Sequence, residues 1–255
     1  MCFYFFTSES NLTPEQGFSL YGTAHLLWIC GIVLLIGSIC LLPRLGRIHA
    51  KQLLGITAFS GLILTITQDV ILSMTGEMNS HTLPLHLCDL ACFLNLCQFL
   101  SHSEALGEIS ICLLMPGAFS AILFPNWTQY PLFHFMTLHG FLYHAVIVLY
   151  PMLLLTGGLI SPRLSHIWKC FLFLLCLVPT IALIDHYTDA NYLFLRYPPK
   201  GSPLELLEHY LGNPGYLIGY GIGISLLIFA GYGGYEFISR IRHQNVHNKK
   251  KGLSE

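Results

Sequence analysis

The sequence predicts an all-α membrane protein with seven spanning helices. Three observations carry that expectation. Of its 255 residues, 54% are hydrophobic and 10% charged, with a mean hydropathy of +0.62. A soluble domain carries about 25% charged residues. Apolar runs of spanning length recur along the whole chain, with turn-forming residues between them. The Asp and His residues inside those runs gather toward one side of the bilayer.

A spanning helix takes roughly 20 mainly apolar residues. The runs that qualify are Tyr21–Leu42, Leu53–Met74, Leu83–Leu100, Leu106–Phe124, Leu132–Leu155, Ile167–Ile184 and Tyr216–Ile238. Pro43, Pro84, Pro125, Pro131, Pro162, Pro198, Pro199 and the turn Asn213-Pro214-Gly215 punctuate them. The third run is the weakest, because it holds His86, Cys88, Asp89 and Asn95. A helix that polar has to face the bundle interior. A six-span arrangement, with this segment re-entrant, is the alternative. Residues 1–238 then form one membrane domain and 239–255 a basic cytoplasmic tail. Met1 to Gln16 holds no Lys or Arg, so no cleavable signal peptide is expected.

Charge sets the orientation. With the N-terminus outside and the C-terminus cytoplasmic, the cytoplasmic segments collect Arg44, Arg47, Lys51, Arg163, Lys169, Arg240, Arg242, Lys249, Lys250 and Lys251, ten of the 12 basic residues, while Arg196 and Lys200 fall outside. Basic residues in short loops favour the cytoplasmic side. The localisation expected is a bacterial cytoplasmic membrane. Net charge is −1, and no strongly basic stretch precedes the tail, so no nucleic-acid partner is expected. Oligomeric state is not legible.

In this topology His25, Gln68, Asp69, His86, Cys88, Asp89, His134, His139, Asp185 and His186 all lie in the outer half. Ionisable groups in hydrocarbon are costly and mark function by default. Cys88 is the sixth residue of its run and His139 the eighth of its own. At about 1.5 Å per residue their depths come to roughly 8 and 10 Å, close enough to meet. Pro84 suits a first helical turn. His86 and Asp89 are three apart and share a face, whereas Cys88 points about 100° away from Asp89. Another neighbour must therefore activate the thiol. Buried Cys is common and usually inert, but two ionisable residues beside it on a membrane helix require a reason.

His134, His139 and His144 are spaced five apart, so successive rings rotate by about 140° and at most two share a pocket. His139 precedes Gly140, which permits close helix approach. Asp69 either orients a histidine or bonds a lipid head group, or is a wetted interfacial carboxylate. Asn191 and Tyr192 offer hydrogen-bond donors just after the sixth run, or simply cap a loop.

Of the nine cysteines, eight fall in apolar runs and none forms a CxxC pair. Cys2, Cys30, Cys40, Cys92, Cys97, Cys112, Cys170 and Cys176 are read as packing residues. Metal binding by His25, His86, His134, His139, His186, Asp69 and Asp89 is a weak alternative, since none of the seven runs carries an HExxH or HxxxH pair. No cofactor motif occurs. The glycines of the last run signal tight helix packing.

Leu83-Pro84-Leu85-His86-Leu87-Cys88, Leu138-His139-Gly140, Asn191-Tyr192-Leu193-Phe194-Leu195 and Asn213-Pro214-Gly215-Tyr216 resemble the YwaF-type integral membrane proteins of bacteria and their eukaryotic relatives, the transmembrane protein 164 group. The resemblance runs from about His25 into the last span. It implies a six- or seven-helix membrane protein distantly similar to androgen-induced fatty-acid-ester hydrolases, and an acyltransferase activity in lipid metabolism. It also implies Cys88 as nucleophile and His139 as its base.

The function expected is thus a lipid acyltransferase or acyl-ester hydrolase acting on membrane phospholipids or fatty acyl esters. Cys88 and His139 are its catalytic pair, with His86, Asp89, Asp69, His25, Asn191 and Tyr192 in support. A transporter or assembly factor with an intramembrane polar relay, and a metal-dependent membrane hydrolase, are the alternatives.

Overall fold

In hydrocarbon a chain can satisfy its backbone N–H and C=O groups only as helices or closed barrels. Among the described residues the regular structure is entirely helical. The computed structural model describes residues 5–46 and 48–251, with side chains up to residue 241 apart from Pro14. Cys2, Arg47 and the last tail residues, 252–255, lie outside the described residues.

The helices are α1 (Thr23–Leu41), α2 (Ala50–Thr75), α3 (Leu87–Ser101), α4 (Glu104–Ile109), a π turn (Ser110–Leu114), α5 (Met115–Leu123), α6 (Phe135–Thr156), α7 (Trp168–Thr188), α8 (Pro203–Leu211) and α9 (Tyr216–Lys251). α4, the π turn and α5 form one continuous run, Glu104–Leu123. The π turn precedes Pro116, which has no N–H for the Cys112 carbonyl four residues back. Widening the turn removes the clash between the proline ring and that carbonyl.

Six helical stretches are long and apolar enough to cross a membrane, and α3 is a shorter apolar helix. The third run was expected to be helical from Leu83. The helix instead begins at Leu87 and has 15 residues. That is about 22 Å, less than the ~30 Å of a hydrocarbon core. Pro84 does not sit in the first turn. His86 is the N-cap, and the Asp89 carboxyl accepts its backbone N–H at 3.1 Å. The expected basic tail begins inside α9, whose helix runs on to Lys251.

The segments that join the helices at one end are tied together. Phe18 N–H donates to the Thr128 carbonyl at 2.9 Å. The Tyr192 hydroxyl donates to the Ser80 carbonyl at 2.6 Å, and the Tyr216 hydroxyl to the Phe194 carbonyl at 2.7 Å. The starts of α1, α3, α6 and α9 meet the ends of α2, α5 and α7 here, and the singled-out polar residues lie at this end.

α6 is the hub, packed by α1, α2 and α5, with 72% of its apolar window buried. The corresponding share for α7 and α9 is 11%, so both lie at the periphery. Leu172, Leu175, Leu183, Ile218, Ile222 and Leu226 are exposed on them, as lipid-facing residues are. Gly231 lets α9 press on the π turn, since a Cβ there would lie 3.2 Å from Cys112 Cα.

Candidate functional site

The first turn of α3 carries the chemistry. Cys88 is its second residue, half-buried and packed against the apolar core. The first backbone N–H groups of a helix have no intrahelical partner; here the Asp89 N–H is taken up by the capping box with His86, which leaves those of Leu87 and Cys88 for an anion. Asp89 turns one carboxyl oxygen back to His86. The other accepts the Tyr143 hydroxyl from α6 at 2.9 Å. That hydroxyl also lies 3.0 Å from Thr65 Oγ1 on α2 and 3.4 Å from the Cys88 carbonyl. Tyr143 therefore joins α2, α3 and α6 at one point. Asp69, half-buried on α2, lies within electrostatic reach of Asp89.

His139 sits one turn before Tyr143, with the two rings stacked at 5.1 Å. Its Nε2 is 3.0 Å from the Leu64 carbonyl, which can only accept. The proton therefore resides on Nε2, and Nδ1 presents a bare lone pair. His144 has the opposite tautomer. Its Nδ1 donates to the Gly140 carbonyl at 2.6 Å, leaving Nε2 bare. His139 and His86 both lie within electrostatic reach of His144. Two of the three spaced histidines thus share a region, as the helical rotation requires. The Trp127 indole stacks on His144 and rests against Gly140, where a Cβ would come within 2.7 Å of the ring.

Other singled-out residues have both hands full. His134 caps α6, accepting Met136 N–H on Nδ1 and bonding the Thr7 carbonyl through Nε2. His25 accepts Tyr21 N–H and donates to the Ile122 carbonyl at 2.8 Å, clamping α1 to α5. The Asn191 side chain donates to the Tyr197 carbonyl and accepts the N–H groups of Arg196 and Tyr197. Tyr192 spends its hydroxyl on Ser80 and its N–H on Asp185, and its ring packs on His86 at 5.0 Å. No hydrogen bond joins Cys88 to His139.

Two tyrosines escaped the sequence reading. Tyr143 was findable, because it lies four residues after His139 on the same helical face. Tyr220 was not, because only the fold brings α9 to α3. It lies within electrostatic reach of Cys88, and its hydroxyl has no hydrogen-bond partner among the described residues.

A second polar cluster lies at the opposite end. The Glu108 carboxyl, 3% exposed, receives His166 Nδ1 at 2.8 Å and Lys169 Nζ at 3.0 Å on one oxygen. Its other oxygen has no partner. The signal was present: Glu108 is the one acid inside the fourth run, and Lys169 the one lysine inside the sixth. Among the described residues no three His, Cys, Asp or Glu side chains converge as a metal site.

A model described as the TMEM164 family matches residues 20–232. That stretch runs from just before α1 into α9 and takes in every residue of the α3 site. No curated protein and no solved structure matches the chain.

Proposed function

The chain belongs to the TMEM164 family, and on that premise we propose that this integral membrane protein is a lipid acyltransferase or acyl-ester hydrolase working through Cys88 and His139. Its substrates are membrane phospholipids or fatty acyl esters, and its residence is the bacterial cytoplasmic membrane, with the Cys88 end outside.

The observation that carries this reading is the tautomer of His139. A general base must offer a lone pair, and the Leu64 carbonyl fixes that lone pair on Nδ1. The same ring stacks on Tyr143, which holds the first turn of α3. An unaided thiol is a poor nucleophile, so a base is required. His139 takes the thiol proton as the Cys88 side chain turns toward it. The sulfur then attacks the ester carbonyl carbon. The Tyr220 hydroxyl, without a hydrogen-bond partner among the described residues, and the Leu87 and Cys88 N–H groups are the donors for the oxyanion. Asn191 and Tyr192 are engaged elsewhere and support the loop around the site. Collapse of the tetrahedral adduct breaks the C–O bond, and His139 returns the proton to the leaving alcohol. Water or a lysolipid hydroxyl then takes the acyl group from the thioester by the reverse steps.

The test is acyl labelling of purified protein in lipid nanodiscs, read by intact mass. Wild type should gain one acyl group on Cys88, and Cys88→Ala none. His139→Ala should slow labelling by about a hundredfold or more, the usual yield of general-base catalysis. Labelling of Cys92 or Cys97 in place of Cys88, or undiminished labelling in His139→Ala, would remove the proposed pair.

A further inference from the structure

We propose that the crevice between α7 and α9 is the slot for the substrate's acyl chain, which trails from the Cys88 carbonyl adduct toward Trp168. This rests on the reading of Cys88 as the acyl acceptor and names what its substrate must contain.

The crevice has a volume of about 660 Å³ and is walled by Trp168, Phe171 and Val178 on one side and Gly221, Ile224 and Ser225 on the other. Ligand pockets run from roughly 300 to 1,000 Å³. Its walls carry no charge, and its one side-chain hydroxyl is already used, with Ser225 Oγ donating to the Gly221 carbonyl of its own helix at 2.7 Å. Nothing there could recognise a head group, so the occupant is hydrocarbon. Trp168 to Val178 is ten residues of helix, about 15 Å. That is half of the ~30 Å hydrocarbon core, the depth that one leaflet's chains fill.

One packing relation joins this crevice to the neighbourhood of the thiol, and the chain order on α9 agrees with it. On α7, Val178 packs against the small cluster around Tyr192 that also receives Leu87, the residue before Cys88. On α9, Gly221 directly follows Tyr220, which lies within electrostatic reach of Cys88. At the far end the Phe171 and Phe229 rings approach to 6.3 Å between the two helices. The end of the slot at Val178 and Gly221 is therefore the one nearer the nucleophile, and the end at Phe171 the farther. When the sulfur–carbon bond forms and the ester C–O bond breaks, the alcohol departs with the thiol's proton. The chain stays in the slot as the tail of the thioester.

Gly221 supplies a clean test, because a Cβ added there meets no atom within 4 Å. Gly221→Leu projects a side chain into the slot from a position where the Cβ itself meets nothing. Wild type and Gly221→Leu in nanodiscs are given p-nitrophenyl butyrate and p-nitrophenyl palmitate, and the Cys88 adduct is followed by intact mass. The palmitate-to-butyrate rate ratio should fall at least about tenfold in the variant, since lost room for methylenes is worth that much or more. An unchanged ratio overturns the slot while leaving Cys88 as acceptor. A second arm does not depend on catalysis. Phosphatidylcholine carrying a diazirine on one acyl chain is photolysed with wild type, Cys88→Ala and Gly221→Leu. Crosslinks on residues 168–178 and 221–225, competed by excess unlabelled palmitate ester and reduced in Gly221→Leu, support the slot even if no thioester forms in any sample. Crosslinks there that competitor does not reduce mean bulk bilayer lipid only, and overturn it.

Discussion

Tyr143→Phe removes one oxygen atom from the junction of α2, α3 and α6, and its consequences can be worked from the geometry. Tyr143 and Thr65 are each 3% exposed, so the groups left behind have no water to turn to. Thr65 keeps its bond to the Gly61 carbonyl, and Asp89 keeps the His86 N–H. What is lost is the bond from the Tyr143 hydroxyl to the Asp89 carboxyl; Thr65, whose one proton goes to the Gly61 carbonyl, loses a close oxygen neighbour rather than a second full bond. A neutral hydrogen bond contributes about 1 kcal/mol and one to a charged group about 1.5–3 kcal/mol. Bonds between membrane helices average nearer 0.6 kcal/mol and reach about 1.7 kcal/mol, because the unfolded chain in lipid finds other partners. The expected destabilisation is therefore about 2 kcal/mol, centred on the Asp89 bond. A double-mutant cycle of Tyr143→Phe with Asp89→Ala isolates that bond, provided unfolding in mixed dodecyl maltoside and dodecyl sulfate is reversible. Tryptophan fluorescence reports the transition, since Trp127 stacks on His144 beside the junction. A coupling energy of about 1 kcal/mol is expected. Single-mutant losses that add to within about 0.3 kcal/mol would show that Tyr143 does not hold α3, and the support for the site would go with it.

Four further outcomes follow from other parts of the molecule. Lys169→Met leaves the buried Glu108 carboxyl with His166 alone and should destabilise the protein by about 3 kcal/mol, with much of the loss recovered on adding Glu108→Gln; the same unfolding titration measures both. Gly140→Ala drives a methyl group into the Trp127 ring and should cost about 1–3 kcal/mol, whereas Gly221→Ala, with open space around it, should be neutral or slightly stabilising. Asp189 donates no proton to its partner but accepts from Arg196 at 2.5 Å, and this bond and the guanidinium charge hold its carboxyl below the usual range. A depressed carboxyl stabilises the fold above its unfolded value and loses that contribution as pH falls, so proteolysis of the 189–200 loop should accelerate below about pH 4 and lose that acid step in Asp189→Asn. Finally, in a background without other reactive thiols, Lys200→Cys should react with an impermeant reagent from outside and Ser161→Cys only after permeabilisation; the reverse pattern overturns the orientation.

The sequence by itself determined the class of fold and the neighbourhood of the chemistry. Long apolar runs leave a backbone no choice but helix, and charge is too costly in hydrocarbon to be placed idly, so Cys88, Asp89, Asp69 and His139 stood out without any coordinates. The helical rotation between His139 and His144 was legible too, because it depends only on spacing. The start of α3 was misread by four residues: hydropathy cannot tell a tight turn at Leu83-Pro84-Leu85 from a helical one, and the cap formed by His86 and Asp89 decides it. What remained was long-range and belonged to tertiary structure alone. Which nitrogen of His139 keeps its proton depends on a carbonyl 75 residues away on another helix. Tyr220 comes within electrostatic reach of Cys88 only because the chain folds back, which no local pattern shows. Asn191 and Tyr192 read as free donors in the sequence, since a side chain's hydrogen-bonding capacity is local but its partners are not. The crevice between α7 and α9 exists because two apolar helices diverge, and composition is the same whether such helices touch or part.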